Sequence, residues 1–114
     1  MTTSMHLIAD LTCSKGLDDV QVVEAFMREA IEVTGLTICH FYIQEFVNGG
    51  TFGPGITGMA LLSESNMVVH TAPERKALNL DLFSCRPFSQ VAVRRLLRKH
   101  FGFSHASRWD TLQR

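Results

Sequence analysis

"ITGMALLSESNMVVHTAPERKALNLDLFS", residues 56–84, holds three strand-length segments in succession. In the last of them Leu78, Leu80 and Leu82 alternate with Asn79, Asp81 and Phe83, the period of two expected of a strand with one face on a core. "ITGMALLS" and "NMVVHT" have strand length as well, so this half of the chain reads mostly as sheet. Glu64 and Ser65 stand at the junction of two apolar runs, with His70 five residues after the serine.

Working outward, "LTICHFYIQEFV" at 36–47 carries β-branched and aromatic residues over strand length and runs into "NGG", which is turn chemistry. It reads as a central strand. "SMHLIADL" at 4–11 is consistent with a first strand. Between them, Val22, Val23, Phe26, Ala30 and Ile31 recur at helical spacing, Asp18 and Asp19 are placed in the first turn, and Gly35 is placed to stop the helix. A second helical pattern follows Ser89, a natural N-cap, with Val93, Leu96, Leu97 and Phe101 on its apolar side and Gly102 past its end. The tail "FSHASRWDTLQR" is left open between a short edge strand and a frayed end. This order of elements predicts an α+β two-layer sandwich, an antiparallel sheet covered on one face by two helices, in a single domain spanning 1–114.

Composition narrows the function. With 114 residues and 46% hydrophobic content the chain can close one core. Eleven basic and eleven acidic side chains cancel, which argues against nucleic acid or an anionic membrane as partner and for a small molecule or a protein. The start lacks a basic leader followed by a long apolar stretch, and no apolar run has bilayer-spanning length, so the expected location is the cytoplasm. Cys13, Cys39 and Cys85 are odd in number and widely spaced, with no CxxC pair, which argues against a disulfide framework and a zinc knuckle. The five histidines include no HxH or HExxH spacing, and no metal is expected. "RRLLRKH" reads as a solvated helix face. Ser65 has no glycine two residues to either side, so it is not a hydrolase nucleophile elbow.

Taken singly, Ser65, His70 and Cys85 would each be ordinary structural residues. Together they sit in "GITGMALLSESNMVVHTAPE" followed by "LDLFSC", and this assembly resembles the self-processing S-adenosylmethionine decarboxylases of bacteria and archaea. That family has a Gly-Val-Ser/Thr-Gly element, an apolar stretch, Glu-Ser-His, His-Thr-Trp-Pro-Glu and an Asp-Val/Leu-Phe/Tyr-Thr-Cys element at similar distances. The likeness extends more weakly over "HLIADL", the first helix and "HFYIQEFVNGGTFGPGITG".

The resemblance implies a mechanism. The chain would break between Glu64 and Ser65, giving residues 1–64 as one fragment and 65–114 as another, headed by a pyruvoyl group made from Ser65. His70 matches the processing base, and Thr57 the hydroxyl that hydrogen-bonds the cyclic intermediate. Cys85 matches the proton donor. The pyruvoyl ketone would form a Schiff base with a substrate amine and act as the electron sink for decarboxylation, with neither metal nor pyridoxal phosphate. Phe52 matches a phenylalanine that stacks on adenine, and Glu74 a glutamate that binds ribose hydroxyls. The resemblance further implies a homodimer of processed protomers with sites near the subunit interface, feeding polyamine and spermidine synthesis.

Two positions depart from the pattern. Asn66 replaces the usual His after the cleavage serine, and Ala72 replaces the aromatic, normally Trp, of His-Thr-Trp-Pro-Glu. S-adenosylmethionine is placed first as substrate. L-arginine or L-ornithine, with Glu74 or Asp81 facing a cationic side chain, is the alternative. An inactive paralogue serving as a regulatory subunit is the third reading; keeping Ser65, His70 and Cys85 together argues against it.

Overall fold

A computed structural model describes residues 4–48 and 53–114. The elements run β1 (Met5–Thr12), α1 (Val20–Thr34), β2 (Ile38–Phe46), β3 (Gly55–Leu62), β4 (Ser65–Ala72), a 3-10 turn (Pro73–Arg75), β5 (Ala77–Ser84), α2 (Gln90–Phe101) and β6 (His105–Gln113). The strands form one sheet in the order β2-β3-β4-β5-β1-β6, every neighbouring pair antiparallel. Both helices lie on one face, and the architecture is the α+β two-layer sandwich expected from the sequence.

The alternation that announces the strands also sorts their side chains. Leu78, Leu80 and Leu82 of β5 and Met67 and Val69 of β4 are buried against the helices. They meet Val23, Phe26, Met27, Ala30 and Ile31 of α1 and Val93, Leu97 and Phe101 of α2 in one core. Each fully buried aliphatic or aromatic side chain there contributes about 1.5–3 kcal/mol. Among the described residues the opposite face carries no helix, and it exposes Met59, Leu61, Tyr42 and Leu112, all about half accessible.

The helix limits are set by caps. Asp19 is the N-cap of α1, its carboxylate accepting from the backbone of Gln21 and Val22 at 2.9 and 3.3 Å. This corrects the placing of Asp18 and Asp19 inside the first turn: both precede the helix, and the first turn holds no acidic residue. Val22 is only half-buried, while Met27 and Thr34 join the buried face. Ser89 caps α2 by accepting from Ala92, and Gly35 and Gly102 end the two helices in the left-handed conformation.

A second correction concerns β2, which is an edge strand and not a central one. Composition reports that a segment suits a pleated surface; it does not report how many neighbours the segment has. Here β2 to β5 form a meander, and β1 pairs with β5, which leaves β2 outermost. The tail forms β6, a full nine-residue strand on the other edge, anchored by Trp109 and Thr111, which both donate to Gln90 at 2.8 Å.

Candidate active site

The β3–β4 hairpin turns through Ser63 and Glu64, with Leu62 paired to Ser65. Glu64 has φ 62. A side chain in this left-handed region costs roughly 1–2 kcal/mol, which persists only where the surroundings hold it. Both flanks of Glu64 are held. Ser63 donates its N–H to the Thr37 carbonyl at 3.0 Å, and its Oγ accepts from Thr37 N at 3.3 Å. Ser65 is buried at 5% exposure, and its Oγ accepts from the backbone N–H of Cys85 at 2.7 Å. The half-buried Cys85 thiol points back at the Ser63 carbonyl, 3.9 Å away. Glu64, Ser65 and Cys85 are therefore one cluster, built by the β3–β4 turn and the end of β5.

His70 and Thr57 form a second cluster. They are cross-strand partners on β3 and β4, with Thr57 Oγ1 and His70 Nδ1 3.0 Å apart on the helix-free face. Because side chains alternate along β4, Ser65 shares the buried face with Met67 and Val69, while His70 shares the open face with Asn66. Five residues of strand rise separate the two by about 16 Å. Within one chain the structure does not bring His70 to Ser65.

The His70 cluster borders an open cleft of about 810 Å³, whose walls include Phe46, Gly55, Thr57, Ala72, Arg75 and Asn79. Ala72 leaves one wall low. Phe46, paired with Gly55 at the end of β2 and about half exposed, is the aromatic face of this cleft. Sequence reasoning missed it; its position before the turn-like "NGG" was the available signal. Glu74 follows Ala72 in the 3-10 turn and packs against Gly53 so closely that a Cβ there would lie 2.9 Å from its Oε2. Phe52 lies outside the described residues. A smaller hollow of about 350 Å³ shares His70 and Asn79 with the cleft and adds Asp10 and Asp81, where Asn79 donates to Asp10 at 2.7 Å and His6 contacts Asp81 at 2.7 Å. Among the described residues no three His, Cys, Asp or Glu side chains converge as a metal site.

All three thiols are free. Cys13 is buried, and desolvation pushes its thiol up to about 11.

The fold places the chain among α+β proteins in which an antiparallel sheet is backed by helices on one face. The sequence matches the family described as S-adenosylmethionine decarboxylase over residues 5–114, and the chain belongs to that family. It is 35% identical over 82 residues to the S-adenosylmethionine decarboxylase proenzyme of Thermosipho melanesiensis, covering 70% of this chain and 59% of that one. Against the proenzyme of Methanococcus maripaludis it is 37% identical over 84 residues, covering 70% and 63%. The matched stretch thus spans about three-fifths of the relatives' length. In fold it is similar to the crystal structure of the adenosylmethionine decarboxylase from Aquifex aeolicus, with a TM-score of 0.72 and 22% identity, covering 99% of this chain and 89% of that one.

Proposed function

We propose that the chain cuts itself between Glu64 and Ser65 and, once cut, decarboxylates a small amino-acid substrate, S-adenosylmethionine first. The observation that carries this reading is the left-handed Glu64, clamped on both sides and followed by a serine whose Oγ is oriented by the Cys85 N–H. Ser65 Oγ attacks the Glu64 carbonyl carbon; the C–N bond breaks, the Oγ proton passes to nitrogen, and the amide becomes an ester. Removal of the Ser65 α-proton then expels Glu64 as a carboxylate by breaking the Cβ–Oγ bond. The dehydroalanine left behind takes up water and loses ammonia to give the pyruvoyl terminus. That strain is released on cutting, which favours the step.

Neutral imidazole is a suitable base near neutral pH, but His70 of the same chain is out of reach. The base for each Ser65 is therefore the His70–Thr57 pair of a second copy, which makes the working unit a homodimer. The helix-free face, with Met59, Leu61 and Tyr42 exposed, supplies apolar surface for such an association.

The pyruvoyl carbonyl, when formed, withdraws the electron pair released as CO2 leaves. Cys85 Sγ, beside Ser65 and half-buried, returns a proton to carbon. Phe46 offers a stacking face for adenine and Glu74 a carboxylate for ribose hydroxyls, Phe52 lying outside the described residues. Decarboxylated S-adenosylmethionine would be an aminopropyl donor for polyamine synthesis, and decarboxylated ornithine a diamine that accepts such a group.

Intact-mass analysis of purified protein tests the first step: fragments 1–64 and 65–114, the latter with a blocked N-terminus, are expected. A chain that stays whole, or a Ser65→Ala variant that still cuts, overturns it. CO2 release from S-adenosylmethionine, arginine and ornithine then ranks the substrates. Release from arginine alone reverses the order.

A further inference from the structure

We infer that Arg86 is a positioning residue for the reacting turn, holding the Cys85 N–H on Ser65 Oγ by gripping the far end of α1; the inference rests on the self-cutting reading above. The guanidinium reaches the last carbonyls of α1, with Nε donating to Thr34 O at 3.1 Å and Nη2 donating to Gly35 O. Those acceptors lack intrahelical partners and lie at the negative end of the helix dipole. α1 has no basic residue in its own last turn, so this cation comes from another part of the chain.

Both sides of the grip are rigid. Thr34 is buried and its hydroxyl donates to Ile31 O at 2.6 Å. On the other side Ser84, fully buried, donates from Oγ to Arg86 O at 2.5 Å and accepts from Arg86 N at 3.3 Å, closing a ring around Cys85. Cys85 is thus fixed between two tethered residues, and its N–H is delivered to Ser65 Oγ.

The same α1–β2 connection holds the other flank. Thr37 pins Ser63 while Thr34 and Gly35 pin Arg86, so residues 34–37 are the common frame for both sides of Glu64. Gly35 is required there twice: its φ is 73, and a Cβ would run into the Arg86 guanidinium.

The experiment times self-cutting of the full chain on denaturing gels for the parent, Arg86→Ala and Arg86→Lys. The Ala variant is expected to cut roughly tenfold more slowly or worse, as small misplacements of reacting groups do, with the thermal midpoint lowered only by the few degrees that loss of one helix-end contact brings. Millimolar guanidinium ion should restore much of the rate to the Ala variant. Lys should remain slow, since a point charge does not supply a planar fork of donors. Parental speed in Arg86→Ala, or a slowing that follows lost thermal stability and ignores guanidinium, overturns the inference. Amide exchange at Cys85, read in a His70→Ala background, is independent of cutting. It should quicken when Arg86 is replaced, and unchanged exchange rejects the clamp even if the parent never cuts.

Discussion

Ser65 and His70 lie five residues apart on β4 and project from opposite faces of the sheet. If His70 is the base that the proposed mechanism requires, it cannot reach the Ser65 α-carbon across that gap by side-chain motion, because an imidazole reaches only a few ångströms from its backbone. In the mechanism proposed above a second copy would resolve the difficulty, each chain supplying what the other lacks.

Complementation follows directly. Ser65→Ala and His70→Ala chains should each stay whole alone, yet mixing them after co-refolding should cut part of the His70→Ala population. The Ser65→Ala copy retains the base and the His70→Ala copy retains the hydroxyl. Mass spectrometry of the mixture reads which chain was cut; no cut chain in the mixture rejects the shared site.

Gly58, next to Thr57, is set by packing. A methyl group there would collide with the Met27 thioether, which is fully buried in α1. Overpacking of this sort costs about 1–3 kcal/mol, and the flexibility of methionine places Gly58→Ala toward the lower figure. Thermal unfolding should show a midpoint lowered by several degrees, and a double-mutant cycle should show that Gly58→Ala costs less in a Met27→Ala background than in the parent, because the colliding thioether is gone.

Ala72 and Phe46 both line the cleft, and the small side chain of Ala72 leaves its part of the wall low. Replacing it with Trp would add a second stacking surface, worth about 1–3 kcal/mol per base. Titration calorimetry with an adenosine compound should show binding tighter by roughly fivefold to a hundredfold. Weaker binding would mean that the adenine does not lie there.

Glu29 accepts from His100 Nε2 at 2.8 Å and from Lys99 at 3.2 Å, and these partners, His100 first, hold its carboxyl below the usual carboxylate range. The folded value is depressed, so its contribution is complete above the ordinary carboxylate pKa and is lost as pH falls through the folded one. The pair is partly exposed and contributes about 0.2–1 kcal/mol. Urea midpoints of parent and Glu29→Gln should differ near neutral pH and converge on acidification below the carboxylate range.

Thiol reactivity should follow burial. Cys39 is exposed on the edge strand, whereas Cys13 is buried with its thiol at about 11, leaving roughly one thiolate in a thousand at pH 8. Iodoacetamide followed by peptide mapping should label Cys39 quickly and Cys13 only after unfolding.

The sequence by itself determined the element types, because alternation in β5 and helical spacing in α1 and α2 reflect which faces meet a core, a local property of the backbone period. Through the resemblance it carries to the decarboxylase family, it also pointed to Ser65, His70, Cys85 and Thr57 as a set. It misplaced β2, read as central although it is an edge strand, left open whether the tail joins the sheet, and missed that Phe46 walls the cleft. Strand order depends on which distant segments pair, and no local period records that. Only the tertiary structure parted Ser65 from His70 and joined Arg86 to the end of α1, because the pleat assigns faces by parity and the folded chain brings residues more than fifty positions apart into contact.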